Sequence, residues 1–150
     1  MAQSFDELID FAIKQEDEAV AFYSEWAGKV TDNAVKQTLL EFAQQERGHK
    51  ARLEEVKRKG GFGKGAVKSV RDMQVSDYLV DVKPNPNMTF QEALILAMKK
   101  EKAAFRMYND LAGRAESKEL QSAFLALARE EASHKLGFEL EYDDLVYQEN

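Results

Sequence analysis

Apolar residues recur at helical spacing through four separate stretches of the chain. In the first, Phe5, Leu8, Ile9, Ala12, Ile13, Ala19, Val20, Tyr23 and Ala27 follow the i, i+3, i+4, i+7 rule of a helix with one buried face. Val35, Leu39, Leu40, Phe42, Ala43 and Leu53 carry a second such stripe, less strictly. Ala93, Leu96, Ala97, Met107 and Tyr108 mark a third, and Leu120, Phe124, Leu125 and Leu127 a fourth. The pattern predicts helices over roughly 5–29, 33–59, 90–112 and 118–144, with ends good to about three residues. The expected fold class is all-α: four helices arranged as two antiparallel hairpins, because the connections Gly28–Asp32 and Gly113–Ser117 are short.

A shift of 85 positions lays the second half of the chain on the first without a gap. Ser4-Phe5-Asp6-Glu7 falls on Thr89-Phe90-Gln91-Glu92. Each reads as a capping box, a hydroxyl at the helix start with a Glu three residues on that reaches back to the cap's N–H. Gly28 falls on Gly113 at the end of a first helix, and Asp32 on Ser117 at the start of a second. One domain results, with hairpins at about 4–59 and about 89–145 and a long crossover at about 60–88 that links helices two and three. Within the crossover, Tyr78-Leu79-Val80 is expected to form a short helical or extended piece. Lys57, Arg58, Lys59, Lys64, Lys68 and Arg71 make its first half basic, and the expectation there is a solvated linker.

Composition narrows the partners. The chain has 150 residues, 44 % apolar and 32 % charged, which suits a globular domain with a sizeable core. A net charge of −6 argues against nucleic acid, and no run of 18 apolar residues exists to cross a membrane. The absence of cysteine removes disulfides, thiolate metal sites and a cysteine nucleophile. The start of the chain, Met1 to Glu7, is acidic and has no apolar signal core, so the expected location is the cytoplasm.

Against this background the two histidines of the chain, His49 and His134, stand 85 positions apart. Each follows a glutamate by three residues, in Glu46-Arg47-Gly48-His49 and Glu131-Ala132-Ser133-His134. Positions i and i+3 share one helix face, so carboxylate and imidazole can meet the same cation. Glu16 and Glu101 lie on the apolar stripes of helices one and three, where a carboxylate is costly to bury without a partner. Coordination compensates that cost. Four carboxylates and two imidazoles favour iron, or manganese, over a structural zinc site, and four negative charges balance two divalent ions. Glu46 and Glu131 are best placed to bridge the ions, with Glu16 and His49 completing one and Glu101 and His134 the other. Asp17, Glu18 and Glu130 fall off the stripe and are expected in solvent. Tyr23 and Tyr108 follow Glu16 and Glu101 by seven residues, two turns along the same faces. They either hydrogen-bond these carboxylates or are core tyrosines with satisfied hydroxyls. Trp26, matched by Leu111, is expected to pack.

The strings Ala12-Ile13-Lys14-Gln15-Glu16 to Phe22-Tyr23, Glu46-x-x-His49, Ala97-Met98-Lys99-Lys100-Glu101 to Tyr108 and Glu131-x-x-His134 resemble the rubrerythrin branch of the ferritin-like superfamily. The resemblance covers roughly residues 4–140 and implies a ferritin-like four-helix bundle with a carboxylate-bridged di-iron centre. It also implies reaction with hydrogen peroxide or dioxygen, and often a homodimer. Two departures change what carries over. The four cysteines that hold an electron-passing iron in classical rubrerythrins are absent, so electrons are expected from a separate donor. The extra glutamate that rubrerythrin peroxidases carry one turn after the third-helix ligand is Ala104 here, with Ala19 as its repeat mate, a symmetric set nearer to that of bacterioferritin. The expected activity is an oxidoreductase that reduces peroxide or dioxygen. A ferroxidase or iron-storage protein is the alternative, and an oxygen-dependent hydroxylase the second alternative.

Overall fold

Hydroxyl side chains start each hairpin. In a computed structural model that describes residues 4–59, 70, 72–80, 82 and 84–149, Ser4 Oγ accepts from Glu7 N at 3.1 Å while Glu7 Oε1 accepts from Ser4 N at 3.3 Å. Helix α1 (Phe5–Lys29) begins there. Thr89 and Glu92 repeat the exchange at 3.1 and 3.0 Å, and α3 (Phe90–Gly113) follows. Asp32 Oδ1 accepts from Ala34 N and Val35 N to start α2 (Asn33–Arg58). Ser117 Oγ accepts from Leu120 N at 3.1 Å to start α4 (Lys118–Glu149). A cap of this kind stabilises a helix by about 1 kcal/mol.

The chain forms two compact units, Met1–Val75 and Ser76–Asn150. In the first, α1 packs on α2 and buries Leu8, Ile9, Ala12, Phe22, Tyr23, Trp26 and Ala27 together with Leu39, Ala43, Leu53 and Val56. In the second, α3 packs on α4 and buries Ala93, Leu94, Leu96, Ala97, Met107, Tyr108, Leu111 and Ala112 with Leu120, Phe124, Leu127, Ala128 and Phe138. No described residue is in a strand, in keeping with the all-α class.

Two expectations shift by a few residues. The short piece of the crossover is a 3₁₀ turn over Val75–Tyr78, three residues before the stretch the sequence pointed to. Tyr78 is buried, and its hydroxyl donates to Asp110 Oδ2 at 2.6 Å, which fixes the turn to α3. Helix α4 runs to Glu149 rather than stopping near residue 144, because the segment after Leu140 contains no glycine or proline to end it. The basic crossover residues Lys64, Lys68 and Arg71 lie outside the described residues.

Candidate metal centre

Among the described residues, six charged or imidazole side chains are buried: Glu16, Glu46, His49, Glu101, Glu131 and His134, none more than 2 % exposed. They are the six that the repeat and the helical stripes single out. Their burial follows from their phase. Glu16 lies one turn after the buried Ala12 on α1, and Glu46 and His49 fall between Ala43 and Leu53 on the buried stripe of α2. Glu101 follows Ala97 on α3, and Glu131 and His134 lie between Ala128 and Phe138 on α4. By contrast Asp17 and Glu18 point outward, and Asp17 pairs with Lys50 at 2.9 Å. Glu130 is half-buried, less solvated than its phase implied.

Within the first unit, His49 Nδ1 stands 3.7 Å from Glu16 Oε1 and 3.7 Å from Glu46 Oε2. One ligand atom from each of the three residues lies within 4.8 Å of the others. The second unit reproduces the arrangement with His134 Nδ1 3.7 Å from Glu101 Oε2, and with Glu131 inside the same 4.8 Å limit. A separation of 3.7 Å is too long for a hydrogen bond. It is a natural spacing for two atoms on one cation, whose bonds to nitrogen and carboxylate oxygen run about 2.0–2.2 Å.

Electrostatics describe the same trio without a cation. Burial pushes the Glu16 carboxyl well above the usual carboxylate range, and the adjacent Glu46 carboxylate adds to the push. Burial draws the His49 imidazole down, but Glu16 and Glu46 outweigh it and hold the ring at about 10. The first half-site therefore carries protons where a cation would sit. Oxygen and imidazole donors without a thiolate, buried and converging at these distances, fit a transition-metal ion of the iron or manganese type. Each half supplies two carboxylates and one imidazole.

Tyr23 and Tyr108 are both 1 % exposed, on the same helices as Glu16 and Glu101. The Tyr23 ring meets Phe22 edge-on, with centroids 5.9 Å apart. Trp26 is buried, as packing requires, and Lys29 Nζ lies 4.8 Å from its ring centroid. The sequence stripes missed no buried carboxylate or histidine among the described residues. They did miss Ser24, whose buried Oγ has no hydrogen bond; a serine on a helix gives no sequence signal for this.

Comparison with known proteins extends the picture to the whole chain. A family model described as a ferritin-like domain matches residues 6–137. A hypothetical protein from Pyrococcus furiosus superposes with a TM-score of 0.74 at 24 % identity, over 97 % of this chain and 92 % of that one. A protein from Thermotoga maritima, described as a candidate ferritin-like diiron-carboxylate protein, superposes with a TM-score of 0.73 at 21 % identity, over 95 % and 96 %. These likenesses establish the fold, and with it the all-α four-helix class. No curated protein matches the sequence.

Proposed function

The chain belongs to the ferritin-like domain family, and on that premise we propose that it is a di-iron oxidoreductase that reduces hydrogen peroxide or dioxygen with electrons from a separate donor. The observation that carries this reading is the pair of equivalent buried half-sites, Glu16/Glu46/His49 and Glu101/Glu131/His134, each with a histidine nitrogen 3.7 Å from a carboxylate oxygen. The description of the Thermotoga maritima neighbour as a diiron-carboxylate protein supports it.

In this reading Glu16, Glu46 and His49 would hold one iron, and Glu101, Glu131 and His134 the other. The four carboxylates offset the charge of two divalent ions, so the loaded centre is close to neutral in its buried setting. Iron bound at both half-sites would supply the two electrons that, with two protons, reduce one peroxide to two waters without a one-electron radical product. The protein's part is to deliver and store protons and to exclude water. His49, held protonated beside two carboxylates in the metal-free site, must release its proton before its nitrogen can bind a cation.

Stopped-flow mixing of the anaerobic ferrous protein with peroxide tests the proposal. The expected result is loss of the ferrous state with one peroxide consumed per two irons, far faster than free ferrous ion in the same buffer. Oxidation at the free-ion rate would overturn it. Oxidation that continues past two irons per chain would favour iron storage instead.

A further inference from the structure

The repeat provides an internal control for the surface. Under the 85-position shift, Asp17, Val20, Ala21 and Ala51 of the first half become Lys102, Phe105, Arg106 and Leu136 in the second. These exchanges make one stretch of α3 and α4 basic and apolar together. Its counterpart on α1 and α2 has an acid in place of Lys102, and that acid, Asp17, pairs with Lys50 at 2.9 Å. In the second half Lys99, Lys102 and Arg106 are exposed and have no ion pair among the described residues. The chain as a whole has a net charge of −6, so a cluster of free cations runs against its trend.

Shape sorts the same residues. A groove of about 410 Å³ opens between α3 and α4, walled by Phe105, Ala132 and Leu136. A second, of about 310 Å³, lies on the other flank of α3 against Leu79 and Val82. Lys102 and Arg106 line both, so they form a crest between two apolar troughs. Leu136, Leu79 and Val82 are 56 %, 54 % and 45 % exposed. A small molecule seeks a concave site that encloses most of its surface, whereas a charged crest with apolar flanks fits a second macromolecule. With Lys135, four cations line the two grooves against Asp77 and Glu139, so the complementary partner is acidic. An anionic bilayer fits less well, because the exposed Asp143 stands seven residues after Leu136 on the same face of α4.

Position relative to the candidate ligands gives this surface a use. Lys102 follows Glu101, Ala132 follows Glu131 and Lys135 follows His134, so the turns that wall the first groove carry all three buried residues of the second half-site. Along α3 the crest stands about 100–140° around the helix from Glu101. A partner seated on it is therefore one helix width, about 10 Å, from that half-site. We propose that an acidic electron-donor protein docks on this α3–α4 face, so that electrons enter at Glu101/Glu131/His134 and not at Glu16/Glu46/His49. The proposal rests on the di-iron oxidoreductase reading and adds where the donor is recognised and by what charge. Each one-electron donor molecule is oxidised by one electron and one ferric ion is reduced to ferrous, so two donors restore what one peroxide oxidised. The two half-sites are then alike in ligands and unequal in access.

Two readouts test it. The first is calorimetric titration of the chain as isolated with oxidised flavodoxin and with a plant-type ferredoxin, both small acidic electron carriers. Binding is expected that weakens about tenfold in K102E/R106E, while K14E/K36E, the same charge change on the first unit, stays close to wild type. Binding should also fall steeply between about 10 and 100 mM salt, a test that needs no variant. The second readout is stopped-flow reduction of the iron-loaded, peroxide-oxidised chain. Reduced flavodoxin should act about tenfold more slowly on K102E/R106E, whereas photoreduced methyl viologen, a small cation that needs no docking, should not. Iron that methyl viologen cannot reduce or peroxide cannot oxidise sinks the functional reading, and the titration decides the docking separately. Absence of binding to both carriers overturns the proposal, as does equal damage from K14E/K36E and K102E/R106E. Occupation of the face by a second copy or by anionic vesicles, with neither carrier bound, also overturns it.

Discussion

The two hairpins keep the same six-residue chemistry but distribute their bulk in opposite ways. In the first, large buried rings stand on the leading helix, Phe22 and Trp26, and the equivalent core positions of its second helix hold Leu39 and Leu53. In the second, the leading helix has Met107 and Leu111, and the rings move to the trailing helix as Phe124 and Phe138. Total core volume is thus exchanged between helices rather than added, as close packing demands when a duplicated pair diverges. Glu16/Glu101, Glu46/Glu131, His49/His134 and Tyr23/Tyr108 are unchanged across the 85-residue shift. The contrast separates two constraints. Core positions accept any set of side chains that fills the space, whereas the half-sites require particular donor atoms at particular distances.

The sharpest way to break that contrast is to treat the half-sites unequally. Glu16→Gln and Glu101→Gln are each expected to lower bound iron from two toward one per chain, and Glu46→Gln or Glu131→Gln to remove more, measured by plasma mass spectrometry after gel filtration. The affinity lost should exceed the ~10–100-fold typical of losing only an outer hydrogen bond to a ligand. Equal losses from Glu16 and Glu101 would confirm functional symmetry; a large difference would show that the halves have specialised.

Core truncation asks the same question of packing. Leu53→Ala and Phe138→Ala occupy equivalent positions, 0 % and 2 % exposed. Urea unfolding of the metal-free protein is expected to show losses of about 2–5 kcal/mol for the first and about 3–5 kcal/mol for the second. If Leu53 costs more, the exchange of bulk between helices is not a simple trade of volume.

The pH dependence sharpens the electrostatic side. His49 is held at about 10 against an ordinary value of 6.5, so its pairing stabilises the metal-free fold fully below about 6.5 and is lost as pH rises through about 10. Glu16, raised above its ordinary 4.5, acts in the same sense: its contribution is greatest at low pH and falls as pH rises toward its elevated value. His49 therefore makes the metal-free protein less stable from pH 7 to 10, whereas affinity for a cation rises over the same range as protons leave. Calorimetric titration with ferrous ion in buffers of different ionisation enthalpy should report net proton release at pH 7. Proton uptake would contradict the assignment.

The smallest effects belong to the helix starts. Ser4→Ala and Thr89→Ala should each cost about 1 kcal/mol, equally within error, because both caps make the same exchange with a glutamate three residues on. Thermal unfolding followed by circular dichroism will resolve them.

Much of the candidate site was legible in the sequence because its chemistry is rare there. Two histidines, each three residues after a glutamate and 85 apart, leave few other readings, and carboxylates on apolar stripes mark Glu16 and Glu101. Caps were equally clear at Ser4, Asp32, Thr89 and Ser117, since short polar side chains act on the nearest N–H groups. The C-terminal end of α4 was less clear: after Leu140, acidic and apolar residues alternate with no stop signal, and a helix without one continues. Leu136 and Leu140 were also opaque. Periodicity registers a leucine beside the buried stripe of His134 and Phe138 as core, and only the structure places it in solvent.

The central claim is that each chain holds two ions, one at each of two equivalent half-sites. Metal analysis of protein isolated without added metal tests it most directly, alongside the double variant H49A/H134A. The account predicts close to two irons per chain in the wild type and almost none in the variant, whose helical spectrum is unchanged. Fewer than one ion per chain after anaerobic ferrous loading, or full retention of metal without both histidines, would contradict it.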